Sequence, residues 1–157
     1  MISFAKYAAF WLPLAAIAYL GLDAFVSPKV AVATSGNGTV VIERSHDQHF
    51  YVEGAINGHP VTFMVDTGVT VESVNEEIAR KVGLGQGVPT IFDTAGGRVE
   101  GRVVPGATVQ IGNIRVEGIR VGINNGGPAA LLGQNFLNKV DLRQSAQRMT
   151  VQMPDSP

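Results

Sequence analysis

The sequence predicts a small all-β domain, folded as a closed or sandwiched sheet with one short helix, and preceded by an apolar N-terminal helix. Eight short segments have the apolar or alternating pattern of β-strands, and turn residues separate them. The 157 residues include 19 glycines and 8 prolines, a composition that favours many turns over long helices. One segment of the β region combines a helical apolar spacing with residues that cap both ends of a helix.

The chain is nearly neutral, with 12 Lys and Arg against 13 Asp and Glu, which gives a formal net charge of -1. A nucleic-acid-binding domain needs a basic face for the phosphates, so this balance argues against nucleic acid as a partner. Hydrophobic residues make up 45% of the chain, enough for a packed core. The absence of cysteine excludes disulfides, a thiolate metal site and a cysteine nucleophile, and no cofactor is expected.

The apolar run at the amino terminus predicts a transmembrane helix. Residues 7–22 carry no charge, and extending the run to residue 26 brings it to about 20 residues, the length that crosses a bilayer. Pro13 would bend this helix without preventing it. Lys6 precedes the run, and positive charge on that side favours a cytoplasmic amino terminus. We therefore expect a single-pass inner-membrane protein whose β domain lies on the periplasmic, extracytoplasmic side.

A cleaved signal peptide is the alternative, because Ala31-Val32-Ala33 has the small-x-small form of a cleavage site. That tripeptide lies about nine residues beyond the apolar run, which is farther than the usual spacer. Both alternatives send the rest of the chain across a membrane. The expected organisation is a membrane anchor and juxtamembrane segment over residues 1–33, a flexible linker over residues 34–39 and the β domain over residues 40–154.

The β domain is expected to contain eight strands joined by tight turns. Asn57-Gly58 is a strong hairpin signal, and Gly112-Asn113 supplies a second tight turn. The predicted strands are Val40–Arg44, Phe50–Ile56, Val61–Val65, Thr90–Asp93, Arg98–Val104, Ala107–Ile111, Ile114–Ile123 and Arg148–Met153.

A short helix is predicted to follow Asn75, whose side chain can cap the first turn. Glu76 and Glu77 lie where the helix dipole favours negative charge, and Lys81 lies near the other end. Gly83 is placed to terminate the helix.

A second helical turn is predicted over residues 134–138, and Asp141 after it is interpreted as a turn residue.

The most informative chemistry lies at Asp66-Thr67-Gly68, where an apolar strand ends in a carboxylate, a hydroxyl and a glycine. A carboxylate at the end of a buried strand is costly unless hydrogen bonds or function compensate. Gly68 would let the backbone turn sharply and bring amides towards the carboxylate. The simpler explanation of such a triplet on its own is an Asp-centred turn.

Two further features lie downstream of that triplet. Thr94, Ala95, Gly96 and Gly97 form a hairpin signal between two candidate strands. An apolar run ending in Leu131, Leu132 and Gly133 precedes the predicted turn at 134–138.

Three markers follow one another along the chain: Asp-Thr-Gly at a strand end, a glycine-rich hairpin, and Leu-Leu-Gly before a short helix. In this order they resemble the retropepsin-like aspartic protease family (clan AA). The closest resemblance is to its bacterial membrane-anchored, single-domain branch, and it covers residues 40–153. The resemblance implies a closed acid-protease barrel and a catalytic role for Asp66. It also implies that Thr67 and Gly68 brace the floor of the site, that Leu132 and Gly133 pack beneath the catalytic loop, and that residues 94–97 form a flap over substrate.

A single Asp-Thr-Gly implies a homodimer, because hydrolysis by this route needs two carboxyl groups that share one proton. Asp93-Thr94-Ala95 lacks the glycine and fits the hairpin better than a second catalytic motif. We therefore expect Asp66 and its symmetry copy to form one site, with an extended peptide or protein as substrate.

Weaker signals leave alternatives open. His46 and His49 are three apart, which allows a zinc site, although exposed loop histidines explain them more simply. Val69 stands where the family usually has Ala or Ser, so a catalytically impaired dimerisation or peptide-binding module is one alternative function. A structural protein with no site is the other.

Overall fold

The computed structural model describes residues 3–26, 30–31, 38–94, 96–127 and 130–154, with side chains of the first helix described over residues 8–22. Three helices and eleven strands occur in these ranges. The helices are α1 (Ser3–Val26), α2 (Glu76–Lys81) and α3 (Gln134–Leu137). The strands are β1 (Val30–Ala31), β2 (Thr39–Glu43), β3 (Phe50–Ile56), β4 (His59–Val65), β5 (Glu72–Val74), β6 (Val88–Thr94), β7 (Gly97–Ile111), β8 (Ile114–Asn124), β9 (Ala130–Leu132), β10 (Asp141–Gln144) and β11 (Arg148–Gln152).

The main sheet closes on itself, which confirms the expected barrel. Its strand order is β1-β3-β4-β9-β5-β8-β7-β6, and β3 also pairs with β7. The β3–β7 pairing joins two strands that four others separate in this order, so six strands form a ring. Gly54 lies at this closure, where a Cβ would overlap the carbonyl oxygen of Gln110. Ring closure therefore depends on a residue without a side chain.

A second sheet of three antiparallel strands, in the order β10-β11-β2, completes the domain. Alternate residues of β2 and β11 point into the core, so that Val40, Ile42, Met149 and Val151 are buried. These side chains belong to the same apolar core as Phe63 of β4. The two sheets therefore share one core, which is consistent with a single domain.

Several predicted elements are found close to their expected bounds. The hairpin at Asn57-Gly58 joins β3 to β4 in full register, with Ile56 opposite His59. Asn75 caps α2, since its side-chain oxygen accepts a hydrogen bond of 2.9 Å from the amide of Ile78. Gly83 has a φ of +70° just beyond the helix, the left-handed conformation that ends helices. These local signals were correct because each acts over only a few residues.

The prediction of two separate strands over residues 98–111 was wrong. Pro105-Gly106 looks like a turn, but β7 runs through it to Ile111. The pairing of β7 with β8 shifts register between Val104 and Ala107, and Gly106 has a φ of +81°. The proline and glycine therefore form a bulge that bends the strand without ending it.

Four short strands were not predicted, and one interpretation failed with them. β1, β5 and β9 have only two or three residues each, too few for a periodic pattern. Asp141 is the first residue of β10, opposite Gln152, so interpreting it as a turn residue was wrong. β10 is exposed at three of its four positions and lacks the apolar alternation that identifies a strand.

The amino-terminal segment forms α1, with Pro13 inside it. None of the helices in the described part of the chain has both the length and the apolarity needed to cross a membrane. Val30 and Ala31 form β1 and pair with Tyr51 and Val52 of β3. Most of the predicted linker (residues 34–37), two residues of the predicted cleavage site (32 and 33) and the predicted flap residue Ala95 lie outside the described residues.

Candidate active site

Asp66 follows the last residue of β4, where two strands run parallel beneath it. Val65 pairs with Leu132 of β9, and the amide of Asp66 donates a 3.1 Å hydrogen bond to the carbonyl oxygen of Leu132. Leu132 is fully buried. The Leu-Leu-Gly segment therefore lies directly beside the strand that carries Asp66.

The carboxylate of Asp66 is held by a turn of its own backbone. The amide of Gly68 donates a 2.8 Å hydrogen bond to Oδ1 of Asp66, and the amide of Val69 donates to the carbonyl oxygen of Asp66 at 3.4 Å. A Cβ on residue 68 would lie 3.2 Å from the same Oδ1. Gly68 therefore allows its amide to approach closely, and this bond fixes one carboxylate oxygen. The other oxygen makes none of the hydrogen bonds found among the described residues, and the carboxylate is only partly buried.

Gly133 is required by the close passage of two chain segments. A Cβ at this position would lie 2.7 Å from the carbonyl oxygen of Val69 and 3.1 Å from the backbone of Val71. Real Cβ atoms do not approach a backbone oxygen so closely, so any larger residue would displace the loop. The glycine thus determines how near β9 and α3 lie to residues 66–70, which we call the catalytic loop because it carries the candidate catalytic acid.

Backbone and side-chain hydrogen bonds from α3 hold the catalytic loop. The amide of Gln134 donates to the carbonyl oxygen of Val69 at 2.8 Å, and its side-chain Nε2 donates to that of Thr67 at 2.6 Å. The amide of Asn135 donates to the carbonyl oxygen of Thr70 at 3.2 Å. Three carbonyl groups of the loop are therefore held by two adjacent residues of one helical turn. Sequence reasoning missed Gln134 and Asn135, whose only signal was their position directly after Gly133.

A cavity of about 180 Å³ opens beside Asp66 and Thr67. Arg44 lies in its wall, with the guanidinium 4.6 Å from the centre of the Phe50 ring and Nη1 donating to the carbonyl oxygen of Gln48 at 2.9 Å. His49 lines the same cavity. Sequence reasoning assigned no role to Arg44 and interpreted His49 as a loop residue, because their proximity to Asp66 depends on the tertiary fold.

The predicted flap is a hairpin between β6 and β7. Thr94 pairs with Gly97, and the hydroxyl of Thr94 donates a 2.7 Å hydrogen bond to the carbonyl oxygen of Gly97. Gly97 has a φ of +109°, a conformation that side chains disfavour. Asp93 pairs with Arg98 at 3.1 Å on the exposed surface, so Asp93 has an ion partner within the hairpin itself. A role of this hairpin in covering substrate stays a prediction.

The histidines of the predicted zinc alternative lie on a surface turn. His46 and His49 are both exposed, and the amide of His49 donates to Oδ1 of Asp47 at 3.2 Å. Within the described ranges, no group of three His, Cys, Asp or Glu residues is arranged to hold a metal ion.

One buried acid near the site was not predicted. The side chain of Glu72 on β5 is 0% exposed, and burial raises its pKa to about 7. The backbone N–H groups of Glu72 itself, Phe136 and Gly133 lower the pKa in part. In the sequence, Glu72 looks like an ordinary polar residue between Val71 and Ser73, so nothing identified it as buried.

Comparison with known proteins agrees with this geometry. The model of the family described as gag-polyprotein putative aspartyl protease matches residues 52–139, more than half of the chain. Two curated relatives are an uncharacterized protein of Rickettsia prowazekii and an uncharacterized protein encoded 5′ of cobV in Sinorhizobium. The first is 41% identical over 46 residues, which are 29% of this chain and 20% of the relative. The second is 28% identical over 117 residues, which are 71% of this chain and 50% of the relative. The chain thus spans half or less of the length of these relatives.

Two solved structures share the fold. A retropepsin-like aspartic protease from Rickettsia conorii has a TM-score of 0.63 at 23% identity, covering 73% of this chain and 90% of that one. EIAV protease in complex with the inhibitor HBY-793 has a TM-score of 0.52 at 20% identity, and the match covers 59% of this chain and 88% of that one. The resemblance indicated by the three motifs is thereby confirmed. The chain belongs to the gag-polyprotein aspartyl protease family, and its β domain has the retropepsin-like fold.

Proposed function

We propose that this protein is an aspartic endopeptidase in which Asp66 is the catalytic acid. The observation that carries the proposal is the catalytic loop itself. One oxygen of Asp66 is fixed by the Gly68 amide, while Gln134 and Asn135 hold the carbonyl groups behind it. A carboxylate fixed in this way can orient a water molecule and accept its proton at small cost in reorganisation.

One carboxyl group is insufficient for this reaction, and the proposal therefore includes a homodimer. Peptide hydrolysis needs one carboxylate to deprotonate water and one carboxylic acid to polarise the scissile carbonyl. In aspartic proteases the two carboxyl groups share a proton, because both cannot ionise at close range. The chain offers one Asp-Thr-Gly, so the second carboxyl group would be Asp66 of the partner subunit, related by a two-fold axis.

The proposed substrate is an extended segment of peptide or protein. The β6–β7 hairpin exposes backbone near its tip, where Thr94 and Gly97 are both exposed. An extended peptide could bind there through strand-like hydrogen bonds, with the hairpin acting as a flap. No nucleic acid is proposed as a partner, because the chain carries a net charge of only -1.

We further propose that α1 attaches the domain to the inner membrane, with the domain on its extracytoplasmic side. Large apolar side chains of α1 are exposed, among them Trp11, Ile17 and Leu20. Exposed apolar surface of this kind favours lipid or another apolar partner. Washing membranes with alkaline carbonate should retain the full chain, and Ile17→Asp should release it. Release of the unaltered chain by that wash would contradict the attachment.

The main test compares the full chain with Asp66→Asn in hydrolysis of a denatured protein at mildly acidic pH. Asn preserves the size of the side chain but cannot act as the acid or the base, so we expect no cleavage. Asp141→Asn is the matched control, since it makes the same chemical change at an exposed residue on β10. Hydrolysis that survives Asp66→Asn, or that Asp141→Asn also abolishes, would contradict the role of Asp66.

The alternative function, a catalytically impaired dimerisation or peptide-binding module, rests on Val69. The geometry of the loop gives this alternative little support. The amide and carbonyl of Val69 both make hydrogen bonds that hold the loop, to Asp66 and from Gln134. Its side chain is partly exposed and leaves the Gly68 amide free to bind the carboxylate. We therefore expect the chain to cleave peptides with Val69 in place, without the change Val69→Ala.

A further inference from the structure

Glu72 is a fully buried acid that the proposed reaction does not use. Its carboxyl group lies within the wall formed by β5, β8, β9 and the start of α3, and Glu72 pairs in parallel register with Val121. Neither carboxyl oxygen has a hydrogen-bond partner of good geometry among the described residues, although the backbone N–H groups of Glu72 itself, Phe136 and Gly133 lie near enough to favour the charged form in part. A buried carboxylate without a partner is strongly unfavourable, whereas a neutral carboxylic acid is tolerated far better.

The neighbouring elements provide no counter-charge. β9 and α3 contain no ionisable residue. β8 carries three, of which Arg115 and Glu117 pair with each other at the surface and Arg120 is exposed. Glu72 forms no ion pair with any described residue. The wall therefore favours the protonated form of Glu72, in agreement with a pKa raised to about 7 by burial.

Glu72 contacts the same turn that holds the catalytic loop. Its amide donates a 3.3 Å hydrogen bond to Oδ1 of Asn135. The side-chain Nδ2 of Asn135 donates to the carbonyl oxygen of Arg120 at 2.7 Å. The backbone N–H of Asn135 donates to the carbonyl oxygen of Thr70. The carboxyl group faces the backbone N–H groups of Gly133 and Phe136, on either side of the two residues that hold the loop. Residues 133–136 thus touch Glu72 on one side and the catalytic loop on the other.

We propose that Glu72 is a positioning residue that holds the start of α3 against the catalytic loop only while its own carboxyl group is protonated. Ionisation places a charge in a wall that offers it no ion partner, and the wall then opens to admit water around that charge. The hydrogen bonds from Gln134 and Asn135 to the loop loosen with it. The consequence for catalysis rests on the proposed function, whereas the coupling between Glu72 and α3 does not.

The test uses the full chain in detergent micelles with Asp66→Asn, which removes the titration of Asp66 itself. We expect the backbone amide resonances of Gln134 and Asn135 to shift between pH 5 and pH 8.5 with a midpoint near 7. Their hydrogen exchange, corrected for pH, should be about tenfold faster one pH unit above that midpoint than one unit below it, because the ionised fraction rises about tenfold over this interval. Adding Glu72→Gln should abolish both changes, while adding Glu77→Gln, an exposed acid paired with Lys81, should preserve them.

Glu72→Met is the second variant, because it removes the carboxyl group without adding an amide to the wall. A midpoint near pH 7 that persists in either folded variant would overturn the proposal. The proposal would also fail if the chain whose single substitution is Asp66→Asn showed no such midpoint. If both variants are unfolded at pH 5, a neutral side chain does not suffice at this position and the proposal also fails.

Enzyme kinetics separate this inference from the proposed function. In chains with Asp66 intact, the kcat of the unaltered chain should fall relative to that of Glu72→Gln as pH rises from 5.5 to 7.5, with KM changing little. An amide midpoint without hydrolysis at any pH would reject the peptidase and keep the coupling. Hydrolysis without that midpoint would reject the coupling and keep the peptidase.

Discussion

The side-chain amide of Gln134 donates a 2.6 Å hydrogen bond to the carbonyl oxygen of Thr67, across 67 positions of sequence. Thr67 follows the proposed catalytic acid, and Gln134 follows the glycine that lets β9 approach the loop. This bond joins two segments of the candidate site that are distant in the sequence. The order of the catalytic loop is therefore set by tertiary contacts as well as by the Asp-Thr-Gly triplet itself.

Replacing Gln134 by alanine should loosen the loop while preserving the fold. The Thr67 carbonyl loses its side-chain donor, and a lost hydrogen bond of this kind costs about 1 kcal/mol. We expect kcat to fall by about fivefold, because that energy acts on the position of Asp66. Urea denaturation measures the first effect and peptide hydrolysis the second. Gln147→Ala, at an exposed position, should change neither, and equal losses in both variants would contradict the role of Gln134.

Gly133→Ala should destabilise the domain more strongly. The new methyl group would lie 2.7 Å from the Val69 carbonyl oxygen, and relieving such overlap in a packed site costs about 1–3 kcal/mol. Gly85→Ala is the control, because no atom lies within 4 Å of the added carbon and the φ of Gly85 is not left-handed. That control should leave stability unchanged or raise it slightly. Equal denaturation midpoints for the two variants would show that the close passage at Gly133 is not restrictive.

The local parts of this site were predictable, and its connections were not. Asp66, Thr67 and Gly68 form a contiguous motif at a strand end, so the pattern placed the acid and the glycine whose amide holds it. Gln134 and Glu72 act through contacts more than 60 positions away in sequence, and a single sequence carries no record of such pairs. The bulge at Gly106 was missed for a related reason, since only its pairing with β8 shows that the strand continues.

Mixing subunits should reveal whether two copies of Asp66 share one site. With a ninefold excess of Asp66→Asn chains, random pairing leaves two aspartates in roughly one dimer in a hundred, although roughly one subunit in ten is unaltered. Activity per unaltered subunit should then fall by about tenfold after the subunits have exchanged. Adding the same excess of Asp141→Asn chains should raise total activity instead. Unchanged activity per unaltered subunit, with exchange demonstrated separately, would mean that each chain acts alone.

The stability of the domain should decrease as pH rises from about 5 to about 7. Glu72 has an ordinary pKa of 4.5 that burial raises to about 7 in the folded chain, so between these values the folded state binds the extra proton. Its contribution is fully present below the lower value and is lost as pH rises through the upper one. The shift corresponds to about 3 kcal/mol in the free energy of unfolding, at about 1.4 kcal/mol per pKa unit.

Other shifted acids act outside that window, which makes the trend assignable. Hydrogen bonds from Arg102 and Lys81 lower the pKa values of Glu76 and Glu77, so their contributions are lost only as pH falls below their ordinary value of 4.5. Urea denaturation of Asp66→Asn at half-unit steps of pH measures the trend without interference from Asp66. Glu72→Gln in that background should give a nearly flat profile from pH 5 to 7. A decline of equal size in both chains would place the titrating group elsewhere.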